Sequence, residues 1–158
     1  MPRSTLQGWG EPIASWDYST ATPQVDFTGL GGYRELLIWG DGITTDTASA
    51  DAPALRVSSD NGSTFLNTAY SNGGTASSGG WVVNSNGASS VAHAFRIELL
   101  DFNSSARKPK YSATAFVIGS SGTANRWGSR AVGPYNAIRI HLLSANFTSG
   151  QICVYGRN

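Results

Sequence analysis

The stretch Val91-Ala-His-Ala-Phe-Arg-Ile-Glu-Leu99 alternates strictly between apolar or aromatic and smaller or charged residues. That alternation constrains the fold more than any other feature. In an extended chain, successive side chains point to opposite faces. Val91, His93, Phe95, Ile97 and Leu99 then share one face, and Ala92, Ala94, Arg96 and Glu98 share the other. Helical spacing is nearly absent, with no long segment carrying apolar residues at i, i+3, i+4 and i+7. Strand-like runs recur instead at 25–28, 33–39, 54–58, 64–67, 81–84, 90–102, 110–119, 125–131, 137–144 and 151–155. Clusters of Gly, Asn, Asp and Ser separate them. Short strands with turns at roughly ten-residue spacing predict an all-β protein, an antiparallel, jelly-roll-like β-sandwich. No repeat is visible, which argues against propellers and solenoids.

The turns have their own chemistry. Asn61-Gly62, Asn72-Gly73 and Asn86-Gly87 are pairs that suit positive φ. Asp60-Asn61-Gly62-Ser63, between runs 54–58 and 64–67, predicts a hairpin. The Gly/Ser-rich segment 71–80 reads as a polar loop. At the C-terminus, Ile138, Ile140 and Leu142 alternate with Arg139, His141 and Leu143, and Ile152 and Val154 repeat the pattern. The two runs read as a closing β-hairpin with one apolar face. Residues 1–24, with Trp9, Trp16 and Tyr18 scattered among Gly and Pro, read either as an extended arm or as a first irregular strand. Residues 25–158 read as the sandwich domain.

A chain of 158 residues suits one domain with a core large enough to fold unaided. Charged residues are only 13%, against roughly 25% in an average soluble domain. The net charge of +1 gives no electrostatic footprint for nucleic acid or an anionic membrane. No run reaches the roughly 18 apolar residues of a spanning helix, and no apolar signal-peptide core is visible near Met1. The single cysteine, Cys153, reads as a buried, inert thiol.

Catalytic signatures are weak. A glycosidase needs two carboxylates roughly 5–10 Å apart, and turn or ion-pair roles account for each acid; Glu98 beside Arg96 reads as a solvated or cross-strand pair. His93 and His141 lack the companions a zinc site requires. Asp41, Asp46 and Asp51 share a loop, but their spacing of five matches no calcium loop. No nucleophile elbow or phosphate loop is present. The expectation is no enzyme, no metal and no cofactor. The aromatics are more suggestive. Tyr70 and Trp81 flank the Gly/Ser segment, and Arg126-Trp127 lies in a polar strand. An aromatic face beside polar side chains can stack on a sugar ring while they bind its hydroxyls. Tyr70, Trp81, Arg126 and Trp127 are therefore the candidate ligand contacts. The basic run Arg107-Lys108-Pro109-Lys110 is a solvated loop or a contact for acidic polysaccharide.

Two stretches carry a resemblance. The first is the ending Asn136-Ala-Ile-Arg-Ile140, then Asn146-Phe-Thr-Ser-Gly150, closing on Tyr155-Gly156. The second is Ala54-Leu-Arg-Val-Ser-Ser-Asp-Asn-Gly-Ser-Thr-Phe65 followed by Tyr70, preceded by the early strand Leu36-Leu-Ile-Trp39. Together they resemble β-sandwich domains of bacteriophage tail fibres, head fibres and spikes, including gene-transfer-agent spikes, over most of residues 33–156. The resemblance implies a virion or virion-like surface protein. It would be made in the bacterial cytoplasm, assemble as a homo-oligomer with other virion structural proteins, and bind host-surface polysaccharide. Neither nucleic acid nor membrane insertion is expected. Rival readings are a free carbohydrate-binding module or lectin and a polysaccharide depolymerase.

Overall fold

The computed structural model describes residues 8–46, 53–72, 75–77, 79–83, 92–117 and 123–158. Twelve strands and no helix are found among them: β1 (Ala14–Asp17), β2 (Gln24–Phe27), β3 (Glu35–Thr45), β4 (Ala54–Ser58), β5 (Tyr70–Asn72), β6 (Thr75–Ser77), β7 (Trp81–Val82), β8 (His93–Leu100), β9 (Lys110–Val117), β10 (Thr123–Arg130), β11 (Ala137–His141) and β12 (Phe147–Arg157). They form an eight-stranded sheet, ordered β1-β12-β3-β8-β9-β10-β5-β6, and a four-stranded sheet, ordered β2-β11-β4-β7. Every pairing is antiparallel. The protein is an antiparallel β-sandwich, as the alternation predicts.

The core lies between the sheets. β8 supplies Phe95, Ile97 and Leu99, and β9 supplies Tyr111, Ala113 and Ala115. From the small sheet come Val25, Phe27, Leu55, Val57, Ile138 and Ile140. Burying such side chains stabilises by roughly 1.5–3 kcal/mol each for the larger aliphatics. Close packing fixes one glycine on β3. A Cβ on Gly40 would lie 2.4 Å from the Phe95 ring, so only glycine lets that ring pack against the strand backbone.

Three local expectations are corrected. The C-terminal runs are not a hairpin. β11 pairs with β2 and β4 in the small sheet, while β12 pairs with β1 and β3 in the large one. The chain between them turns a corner from sheet to sheet, pinned by bonds from Leu142 N to Pro23 O (2.9 Å) and Phe147 N to Thr22 O (2.8 Å). Both segments alternate because each packs one face onto the same core, and alternation does not say which sheet a strand joins. The 60–63 turn forms, with Asn61 at φ 57° and Gly62 at φ 91°. Residues 64–67 form no strand: only Leu66 N returns to β4, donating to Val57 O at 3.0 Å, while β7 takes the Ala54 and Leu55 end of β4. The segment 71–80 is not simply a loop, since β5 and β6 pair within it at the sheet edge. Asn86-Gly87, Gly73 and Asp51 lie outside the described residues.

In the N-terminal segment, β1 pairs with β12, which completes the large sheet. Upstream of it, Trp9 packs against Leu37, Cys153 and Tyr155 on the side of that sheet away from the main core. Cys153 is buried, as expected, but beneath this N-terminal cover; its neighbours Ile152 and Val154 face the sandwich interior.

Candidate functional site

Strand alternation divides the candidate contacts between two faces. Tyr111, Ala113 and Ala115 of β9 are core residues, and Arg126 and Gly128 of β10 stand opposite Ala113 and Tyr111 in register. Trp127, between them, must therefore project from the other face. It does: Trp127 is 63% exposed. Tryptophan is usually highly buried, so an indole standing in solvent on a mid-sheet strand calls for a reason.

The other three candidates do not join it. Trp81 is fully buried, stacked on Tyr111 with ring centroids 5.1 Å apart and 11° between planes. Its indole Nε1 donates to Ser129 O at 3.3 Å, which satisfies the polar end of a buried ring. Tyr70 is buried edge-on against Trp81, and its hydroxyl donates to Leu66 O (2.8 Å) and accepts from Val57 N (3.0 Å). Burial pushes its phenol above the usual tyrosine range. Neither ring is open to stack on a ligand. Arg126 lies on the core side of β10, with its Nε buried and without a hydrogen-bond partner among the described residues. Arg126 and Trp127 are sequence neighbours on one strand, and for that reason cannot share a face.

What surrounds Trp127 is a group that the sequence reading did not assemble. Its rung runs from Trp127 to Ser112 on β9 and Glu98 on β8. The next rung runs from Asn125 through Thr114 and Arg96 to Trp39 on β3. Arg96, Glu98, Ser112 and Thr114 line a shallow hollow of about 80 Å³. Arg96 and Glu98 form an ion pair, and Thr114 Oγ1 donates to Asn125 Oδ1 at 3.0 Å. Aromatic rings border this quartet: Trp127 beside Ser112, Trp39 (37% exposed) beside Arg96, and Phe116 (42% exposed) two residues beyond Thr114. With strands about 4.8 Å apart and about 3.4 Å per residue, Trp39 and Trp127 stand roughly 16 Å apart at their Cα atoms. That span suits an extended oligosaccharide better than a single ring.

The sequence carried a signal for part of this site. The alternation of 91–99 put Arg96 and Glu98 on the polar face, but nothing local showed that β9 and β10 would set Ser112, Thr114 and Trp127 beside them. A second hollow, of about 320 Å³, lies on the far side of Trp127 and is lined by Ser71, Lys110, Tyr111, Trp127, Gly128 and Ser129. Its floor requires Gly128, because a Cβ there would meet Ser71 O at 1.7 Å and Trp81 Cδ1 at 3.3 Å.

His141 and Asp46 have structural partners. His141 Nε2 lies 3.0 Å from Gly79 O, and burial holds both His93 and His141 below the usual histidine range. Asp46 accepts from Asn146 N (2.8 Å) and Nδ2 (2.7 Å), bonds that lower its pKa and tie the end of β3 to the sheet-switching corner. Among the described residues no cluster of three or more His, Cys, Asp or Glu side chains could hold a metal ion.

No protein-family model matches the chain, and no curated protein matches its sequence. Among solved structures, the chain is similar to the crystal structure of galectin LEC-6 from Caenorhabditis elegans, at 11% identity and a TM-score of 0.41, over 87% of this chain and 94% of that one.

Proposed function

We propose that this chain is a non-catalytic, glycan-binding β-sandwich that works from the solvent face of its eight-stranded sheet. The observation that carries this reading is the ring of exposed aromatics, Trp39, Phe116 and Trp127, around the polar quartet Arg96, Glu98, Ser112 and Thr114. The indoles supply flat apolar surface for the C–H faces of sugars, and the quartet supplies donors and acceptors for their hydroxyls. The side chains stand on paired strands, so the geometry is held before a ligand arrives. Such a shallow, open site binds each sugar weakly. Display in several copies would raise retention on a polymer by about 10²–10⁴. The resemblance to phage fibre and spike domains supplies a setting for that: an oligomer on the surface of a phage-like particle, binding host-surface polysaccharide.

The test compares glycan binding and melting temperature for the wild type, Trp127→Ala and Trp39→Ala. Both substitutions are expected to lose binding while melting stays near wild type. Unchanged glycan binding in both variants contradicts the reading. Light scattering on the same samples separates the settings: a defined oligomer supports a fibre or spike, and a monomer that binds glycan supports a free lectin-like module. If the oligomer dissociates when Trp127 is replaced, the face is a contact between copies instead.

A further inference from the structure

The hollow beyond Trp127 continues into another, of about 470 Å³, with which it shares Ser71 and Ser129. Three cations line the pair: Lys110 in the first, and Lys108 and Arg130 in the second. No carboxylate lines either one among the described residues. Asp101, the acid that feels Lys110, is already held by Arg34 Nη2 at 2.8 Å and approached by Arg107 at 3.8 Å.

Arg130 is the unusual member. It is 7% exposed, and among the described residues no carboxylate pairs with it. Its Nη1 donates to Tyr135 Oη (2.6 Å) and its Nη2 to Thr68 O (2.9 Å), both neutral acceptors. The guanidinium also lies 4.8 Å from the Tyr70 ring centroid and 5.5 Å from that of Tyr135. Its Nε is buried with no hydrogen-bond partner among the described residues. Buried charges are ordinarily paired. Here hydroxyl, carbonyl and ring faces hold the cation in place, and its positive field is left without a counter-charge beneath the groove.

Resting on the glycan-binding reading, we propose that the double hollow takes an anionic saccharide unit, a carboxylated sugar such as a uronic acid. The sugar ring stands against Trp127, its hydroxyls meet Ser71 and Ser129, and its carboxylate lies between Lys108 and Lys110 over the field of Arg130. The chain thus selects acidic polysaccharide by one charged subsite beside a neutral aromatic face. A sulfated sugar offers the same negative charge, so the test separates the two.

The full chain is tested on immobilised uronate oligosaccharides, the same oligosaccharides with their carboxylates methyl-esterified, dextran sulfate, and plain dextran. Binding is expected to the uronates and to be lost on esterification. Lys108→Gln/Lys110→Gln, changed at exposed positions so that folding is retained, should bind uronates on the order of tenfold more weakly and with a shallower salt dependence. Binding to dextran sulfate but not uronates assigns the subsite to sulfate and overturns the carboxylate. Equal binding to esterified and free uronates, or an unaffected double lysine variant, overturns the charged subsite. If only neutral sugars bind and Trp127→Ala abolishes that, this inference falls while the platform stands. If no probe binds at all, the inference falls, and the platform must be judged on the wider comparison of Trp127→Ala and Trp39→Ala.

Discussion

Trp127 stands opposite Ser112 in the β9–β10 ladder, on the solvent face, while the next pair along, Gly128 and Tyr111, belongs to the core side. One residue of register thus separates a candidate binding ring from the packing that supports it. Gly128 lets β5 pair closely alongside β10 and lets Trp81 pack over the core side, where Trp81 stacks on Tyr111. The exposed indole rests on a strand whose opposite face is tightly filled.

Trp81→Ala and Trp127→Ala should therefore separate stability from binding. Trp81 is fully buried, and its removal should cost about 3–5 kcal/mol. For a chain of this size that lowers the melting temperature by more than about 6 °C. Trp127→Ala should stay within about 0.5 kcal/mol of wild type. Thermal melts of the two variants check the assignment; equal destabilisation would contradict it.

Gly128→Ala should be severe for a residue that carries no side chain. The added Cβ would lie 1.7 Å from Ser71 O, so β5 must move away from β10. Overpacking of this kind costs about 1–3 kcal/mol or more. Because Ser71 lines both halves of the groove, the variant should also weaken saccharide binding in the protein that remains folded. A melt and a binding curve like wild type would count against the close approach.

Legibility in the sequence followed how local each feature is. Period-two alternation in 93–99 and 138–142 gave strands with the correct inward residues, because burial of one face is written directly in the pattern; Val91 lies outside the described residues. The pairing of strands distant in sequence was not, so β11 and β12 read as a hairpin although they belong to different sheets. The aromatics show the same limit. Tyr70 and Trp81 sit beside Gly and Ser, which suggested exposure, yet they pack edge-to-face in the core. Trp39 and Phe116 looked like ordinary strand residues, and only the order β3-β8-β9-β10 sets them around one polar patch with Trp127.

Acid should destabilise the fold in two stages. Burial lowers the pKa of His93 and His141 in the folded protein, with Arg56 adding to the effect at His141. The unfolded chain then binds more protons as pH falls below about 6.5, so stability drops through that range. Asp46, Asp60 and Asp101 are also lowered, by hydrogen bonds from Asn146, Ser58 and Arg34 respectively. Their contribution is present above about pH 4 and is lost as pH falls through the folded values. Melting temperature should be flat between about pH 7 and 9 and decline below about 6.5. His93→Gln/His141→Gln should flatten the first decline. A wild type that gains stability between neutral and mildly acid pH would refute this assignment.

Cys153 reports on the N-terminal cover. The thiol is 5% exposed beneath Trp9, whose ring also lies 4.6 Å from the Arg157 guanidinium carbon. Native alkylation should be slow, and Trp9→Ala should speed it on the order of tenfold by easing local opening. Fast labelling of the wild type would show that the cover is not closed in solution.

The account rests on which tryptophans meet the ligand, and the five indole N–H signals report that directly. An NMR titration of the labelled protein with an oligosaccharide that it binds should move the Trp127 and Trp39 signals and leave Trp81 in place. Shifts confined to Trp9 and Trp16, or a Trp127 signal that stays fixed at saturation, would place binding away from the proposed face and contradict the account.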